Sequence, residues 1–203
     1  SASYTTGLTT YADDHDDQYR CVISAVGAAT PATTNAVVLT VQRTFSITSQ
    51  PVNATANEGE TASFTLATTS SSGTVTYQWE RSDDGGANYI SLPVNTDTYT
   101  TANLIFADDN GDRYRAVASL VGAASSITST HGELTVLRVI TIDTQPNSTA
   151  VIEGNTATFT IVASITSGVV SYQWQKSTNS GANWSNINGA NSASYTTPAT
   201  VFP

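Results

Sequence analysis

The feature that most constrains this chain is a set of unlike sequence words that all return at one interval. Gln50-Pro51 comes back as Gln145-Pro146, Glu58-Gly59 as Glu153-Gly154, Phe64 as Phe159 and Trp79 as Trp174. Upstream, Tyr19-Arg20 returns as Tyr114-Arg115, and Val26-Gly27-Ala28-Ala29 as Val121-Gly122-Ala123-Ala124. Each pair is 95 positions apart. One interval shared by words of different composition marks an internal repeat. A single residue is inserted after Trp184, the counterpart of Tyr89, because Tyr99 is answered by Tyr195. The opening word, Ser1 to Thr6, recurs at Ser192 to Thr197. The interval therefore predicts the C-terminal half of one unit over 1–43, a complete unit over 44–138 and the N-terminal part of another over 139–203. Half a unit would leave its apolar face uncovered, so the native protein is expected to extend in both directions.

Within the complete unit, alternation and turn residues predict seven or eight short strands. These are Ser46–Gln50, Thr61–Ala67, Thr74–Arg81, Tyr89–Leu92, Thr98–Phe106, Asp112–Leu120 and Ile127–Val136. Tyr77 and Trp79, like Tyr172 and Trp174, are two residues apart and so share one strand face. No stretch shows sustained helical periodicity or an apolar run long enough to span a membrane. Many short strands joined by Gly, Asn, Asp and Ser turns predict an all-β, two-sheet sandwich.

The residues that open and fill each unit resemble a known family. The Gln-Pro opening, the Glu-Gly turn, the Tyr-Gln-Trp strand and Asn110-Gly111-Asp112-Arg113-Tyr114 are similar to those of tandem immunoglobulin-like domains of bacterial and bacteriophage surface or virion proteins. The resemblance implies that Trp79 and Trp174 are the core tryptophans of the third strand. It also implies that Tyr19 and Tyr114 are corner tyrosines whose hydroxyl ties a loop to the start of the penultimate strand. Tyr77, Tyr172, Phe64 and Phe159 complete the expected core. The family's inter-sheet disulfide would join the positions of Leu66 and Ala116, and neither is cysteine. Such a bridge contributes about 2–4 kcal/mol, so each unit depends on its aromatic core and on its neighbours. The short links Gln42-Arg43-Thr44-Phe45 and Leu137-Arg138-Val139-Ile140 contain no glycine, which predicts a stiff array.

Composition narrows the chemistry. A formal net charge of -9 with a single lysine, Lys176, disfavours nucleic acid, which needs a basic face. Cys21 is the only cysteine, so it is expected to be a small buried hydrophobe or half of a bridge to an upstream strand, and no thiolate cluster can form. His15 and His131 lie in turn regions without a second ligand at metal spacing. No cofactor is expected, and no catalytic constellation is legible.

Two loops have chemical interest. Asp108, Asp109, Asn110 and Asp112 cluster around Gly111 and could hold Ca²⁺ weakly. The plainer reading is a polar turn, since Asp, Asn and Gly tolerate turn backbones. Tyr89 and Trp184 end equivalent Gly-Ala-Asn loops and could stack on a sugar ring, or could pack on their own sheet. Asn53, Asn147 and Asn183 begin glycosylation-type triplets, which arise readily in a chain this rich in Ser, Thr and Asn. The expected function is a non-enzymatic structural or adhesive segment of a surface-displayed protein, with a bacteriophage tail fibre, baseplate or capsid decoration ahead of a bacterial adhesin or a carbohydrate-binding module. Expected partners are neighbouring repeats, other structural subunits and cell-surface glycans. Exchange of half-units between molecules is a further arrangement, and the duplicated word at 1–6 and 192–197 counts against it.

Overall fold

Short strands joined by tight turns build nearly the whole chain. The structure is a computed structural model that describes residues 2–199. Ser1 and the last four residues of the expected 139–203 piece lie outside the described residues. The N-terminal stretch opens with a helical turn, α1 (Tyr11–Asp14), capped by Thr10, whose Oγ1 accepts from the Asp13 amide at 3.2 Å. It continues with β1 (Gln18–Tyr19), β2 (Val22–Ile23), β3 (Ala32–Thr33) and β4 (Val37–Val38), paired antiparallel as β1 with β4 and β2 with β3.

Pro51 then divides the next stretch between two sheets. Before it, β5 (Phe45–Ser49) pairs with β8 (Ala67–Ser70), with a register shift between Ile47 and Ser49. After it, β6 (Ala54–Asn57) joins the opposite sheet. Proline cannot donate to a ladder, so a strand can change sheets there without losing a bond. The same layer holds a separate ladder in which β7 (Ser63–Thr65), divided from β8 by Leu66 alone, pairs with β11 (Thr98–Thr100). The second sheet runs in the order β10-β9-β12-β14-β6, with β9 at Thr76–Ser82, β10 at Ile90–Ser91, β12 at Arg113–Ser119 and β14 at Gly132–Leu137. A further short strand, β13 (Ile127–Thr128), also pairs with β12. The longest ladder matches all of β9 to all of β12, with Trp79 opposite Ala116. Gly132 is dictated by proximity, because a Cβ there would stand 2.4 Å from the Val52 carbonyl oxygen.

Between the sheets lie Phe64 and Leu66 from the first, and Trp79, Tyr114, Ala116, Ala118, Leu134 and Val136 from the second, all buried. Phe64 stacks on Tyr114 with ring centres 4.6 Å apart, which brings β7 against β12. This pairing order, with one segment split between two sheets around a buried third-strand tryptophan, is that of an immunoglobulin-like β-sandwich.

The C-terminal stretch forms β15 (Ile140–Thr144), β16 (Thr158–Thr160), β17 (Val162–Ile165), β18 (Gln175–Lys176), β19 (Ser185–Asn186) and β20 (Ser194–Thr196). β15 pairs with β17 with a register shift between Ile142 and Thr144, β16 with β20, and β18 with β19. By contacts the residues fall into two compact units. The first takes residues up to Thr55, Thr61–Ala102 and Asp109–Thr135; the second takes Ala56–Glu60, Asn103–Asp108 and Val136 onward.

Three elements depart from the sequence reading. The strand expected over Thr98–Phe106 stops at Thr100, and a helical turn, α2 (Phe106–Asp109), occupies the end of that span and the start of the expected polar turn. Leu104 turns into the core there, held by its amide to the Glu60 carbonyl at 2.8 Å, and that inward bend ends the strand. β6 was not legible, because Ala54–Asn57 carries no large apolar residue to mark an inward face. The strand expected over 127–136 is broken into β13 and β14.

Candidate functional sites

The core site is built on β9. Trp79 has no exposed surface, and its Nε1 donates to the Thr96 carbonyl at 2.9 Å. Gln78, facing the other way, donates through Nε2 to the carbonyls of Trp79 at 3.0 Å and Leu92 at 2.5 Å. The same bonds recur around Trp174, from Nε1 to the Ser192 carbonyl at 2.8 Å, and from Gln173 to the carbonyls of Trp174 and Ile187, both at 2.9 Å. Leu66 and Ala116 are both fully buried, so packing of an apolar pair fills the space a disulfide would occupy. Tyr77 is half-buried, with its hydroxyl 2.7 Å from Thr68 Oγ1.

Burial separates the copies. Phe64, Trp79 and Tyr114 are enclosed, whereas Phe159, Tyr172, Trp174 and Tyr19 are only half-buried. β9 is flanked by β12, itself paired with β14, and no counterpart of either follows Trp174 among the described residues. Phe159, Trp174, Trp184, Ile187 and Tyr195 instead line an open groove of about 690 Å³. In the N-terminal stretch, Tyr4, Tyr19, Cys21, Val22, Val37 and Leu39 line another of about 800 Å³. Cys21 is an exposed free thiol. The expectation of a buried hydrophobe is corrected: its counterpart Ala116 pairs with Trp79 in the β9 ladder, and among the described residues no such strand lies against Cys21.

Beneath the acidic turn lies a cluster that strand alternation could have revealed, since Arg81 shares the inward face of Trp79. Arg81 Nε stands 2.5 Å from Asp112 Oδ2, and Nη2 stands 3.5 Å from Asp109 Oδ1. Asp112 is 3% exposed and also accepts from the Tyr114 hydroxyl at 3.3 Å. Burial pushes the Asp112 carboxyl above its usual range, while the Arg81 guanidinium pulls the other way. Burial, then the Asp112 charge, pushes the Tyr114 phenol up. The guanidinium therefore sits where the Asp109 and Asp112 carboxylates point, and competes for oxygens that a Ca²⁺ held by Asp108, Asp109, Asn110 and Asp112 would take. No group of three His, Cys, Asp or Glu among the described residues is placed to hold a metal. The Tyr114 hydroxyl thus meets a side chain only two residues upstream.

The Tyr89 and Trp184 loops share one internal scaffold. Asp84 accepts from Ser82 Oγ at 2.7 Å and from the Asn88 amide at 2.9 Å. Asn179 accepts from Ser177 Oγ at 3.0 Å and from the Asn183 amide at 2.9 Å. The Asn88 amide, then Ser82 and the Asn88 side chain, hold the Asp84 carboxyl down to about 2. The aromatics differ. Tyr89 is half-buried beneath Arg115, whose guanidinium carbon lies 3.6 Å from the ring centre and which pairs with Glu80 at 2.7 Å. Trp184 is 60% exposed. A separate polar hollow of about 290 Å³, which Trp184 does not line, is formed by Lys176, Asn179, Asn183 and Asn186.

His15 stacks on Tyr11 at 4.4 Å and accepts from the Val41 amide through Nδ1 at 3.1 Å. It is thus part of the local packing, and His131 is exposed. No helix among the described residues is long and apolar enough to cross a membrane.

Comparison with known proteins adds fold-level relatives. A domain of unknown function (DUF8696) matches residues 141–201. No curated protein matches the chain. Among solved structures, the chain is similar to the titin domains Z1Z2 in complex with telethonin, at 19% identity over 81% of this chain and 85% of that one, with a TM-score of 0.43. It is similar to Sidekick-1 immunoglobulin domains 1–5 at 16% identity over 77% and 34%, TM-score 0.41. DIP-gamma Ig1 and Ig2 follow at 15% identity over 80% and 86%, TM-score 0.39.

Proposed function

We propose that the chain is a segment of tandem immunoglobulin-like repeats, over 1–43, 44–138 and 139–203, from a non-enzymatic structural and adhesive protein displayed on a surface. The observation that carries this reading is the recurrence of structure at the sequence interval. β5 with β8 and β15 with β17 are matched ladders with the same register shift, displaced by 95 positions, from Phe45 to Ile140. An immunoglobulin-like sandwich suits such a role because its loops vary while its core is held. Within that class we favour a bacteriophage virion component, such as a tail fibre, baseplate or capsid decoration, over a bacterial surface adhesin. The complete unit over 44–138 does without the disulfide common in secreted sandwiches, and the acidic surface keeps densely arrayed copies apart. The test is the reading frame that contains these units. Further 95-residue copies beside tail or capsid genes support the reading; a signal peptide with a cell-wall anchor moves the protein to the bacterial surface.

A specific observation favours glycan contact as a second reading. Trp184 presents a broad apolar face to solvent on a groove it shares with Trp174, Tyr195, Gln175 and Lys176, and an aromatic face with polar side chains in reach is what a sugar ring needs. A glycan array with the wild-type chain and Trp184→Ala decides it: binding that survives the substitution removes Trp184 from the contact.

A further inference from the structure

Arg43 and Arg138 stand 95 positions apart, in the links that lead into β5 and β15, and they make matching contacts. The Arg138 guanidinium carbon lies 3.9 Å from the centre of the Phe106 ring at the start of α2. Its Nε donates to Ser167 Oγ at 3.1 Å. The Arg43 guanidinium carbon lies 3.9 Å from the centre of the Tyr11 ring at the start of α1, and its Nε donates to Ser72 Oγ at 3.2 Å. Phe106 is the counterpart of Tyr11, and Ser167 that of Ser72. Both serines precede glycines at positive φ, Gly73 and Gly168, where a Cβ would stand 3.0 and 3.1 Å from a guanidinium nitrogen. Glycine lets each turn close onto its arginine.

The backbone around each arginine repeats as well. Thr166 N donates to the Val139 carbonyl at 3.1 Å, and Ser71 N to the Thr44 carbonyl at 2.8 Å. Val139 N donates to Thr166 Oγ1 at 3.3 Å, and Thr44 N to Ser71 Oγ at 3.1 Å. Glu58 adds a second tie at the Arg138 link: its Oε2 accepts from Thr166 Oγ1 at 2.6 Å and Ser167 Oγ at 2.7 Å, and its Oε1 from the Phe106 amide at 3.1 Å. Bonds from Thr166 and Ser167 hold this carboxyl below its usual range, so it is charged at neutral pH. Each set of contacts falls inside a single compact unit, with Tyr11, Arg43 and Ser72 in the first and Glu58, Phe106, Arg138 and Ser167 in the second.

We propose that this arginine, stacked on an aromatic from the preceding repeat and bonded to a serine turn of the following one, is a latch that fixes the joint between successive repeats. The proposal rests on the repeat reading above. A planar guanidinium can lie on a ring and bond in its own plane at once, which an ammonium cannot. The glycine-free links are thereby held from both sides and do not act as free hinges. The same latch is expected at every joint where Arg, an aromatic and Ser-Gly recur at these positions.

Amide hydrogen exchange on the full chain tests it, with Arg138→Ala and Arg43→Ala made separately. Arg138→Ala is expected to speed exchange of the Val139 and Thr166 amides at least tenfold, while Thr44 and Ser71 keep their rates; Arg43→Ala reverses the pattern. The core amides of Trp79 and Ala116 stay protected in both. Unchanged rates at the altered joint overturn the latch. The repeat reading fails by a different outcome: in rising urea the wild-type amides of β9 and β12 would open together with those of β15 and β17 in one step. Two-step opening with no effect of either substitution keeps the repeats and removes the latch.

Discussion

Replacing Trp79 by alanine is the sharpest probe of how this sandwich is held. The side chain is fully enclosed and its Nε1 is bonded to the Thr96 carbonyl at 2.9 Å. A buried tryptophan removes about 150–250 Å² from water, which at about 25 cal/mol per Å² is worth about 4–6 kcal/mol. Alanine recovers part of this and the surroundings relax partly into the space left, so the net cost is about 3–5 kcal/mol. A unit of this size has about 5–14 kcal/mol of stability, so the loss is a large share. Trp174→Ala is the internal control. It deletes the same side chain with the same Nε1 bond, made to Ser192 at 2.8 Å, but from a site that is only partly enclosed, and is expected to cost less than Trp79→Ala. Urea unfolding of the full chain, read by exchange of the Ala116 and Ala118 amides for Trp79 and of the Phe159 and Ile161 amides for Trp174, measures both. Equal costs would falsify the claim that the fuller enclosure of Trp79 sets the energetics.

Three further outcomes are expected. Arg81→Met leaves the Asp112 carboxylate buried without its cation and costs about 3–5 kcal/mol at neutral pH. Asp112 is then held well above its unfolded value, so part of the loss returns as the pH falls and the group protonates in the folded state; chemical denaturation across pH measures this. Asp84 titrates in the opposite sense. Its carboxyl is held down to about 2 from 3.8, so its contribution is complete above the unfolded value and disappears as the pH falls toward 2. Asp84→Asn should flatten the acid limb of the stability curve, and Asn179 shows that an amide fits the same loop. Trp184→Ala, at an exposed site, should change stability by no more than about 0.5 kcal/mol, so any loss of glycan binding reports contact and not unfolding.

Much of the architecture was legible because strand alternation and turn chemistry act over a few residues. Tyr77 and Trp79 share a face by the geometry of any strand. Gly59, Gly73 and Gly111 mark turns because their positive φ suits glycine. α2 was missed for the same reason in reverse: the apolar Leu104 and Phe106 extend the alternation of Thr98–Thr100, and only the pull of Leu104 into the core bends the chain away. The Arg81 cluster was partly legible, since alternation sets Arg81 inward, but nothing local shows that its partners lie some thirty residues on, at Asp109 and Asp112.

By itself, then, the sequence determined the strand content, the turns and the identity of the core aromatics, because each depends on neighbours along the chain. It also carried the interval of 95 positions, a property of the letters alone. The tertiary structure decided which of those equivalent residues are enclosed. Trp79 and Trp174 sit in the same local word with the same bonds, yet only Trp79 is sealed, because burial depends on strands that arrive from distant positions. The same reason exposes Cys21 where Ala116 is hidden, and it turns two unremarkable link arginines, Arg43 and Arg138, into matched contacts.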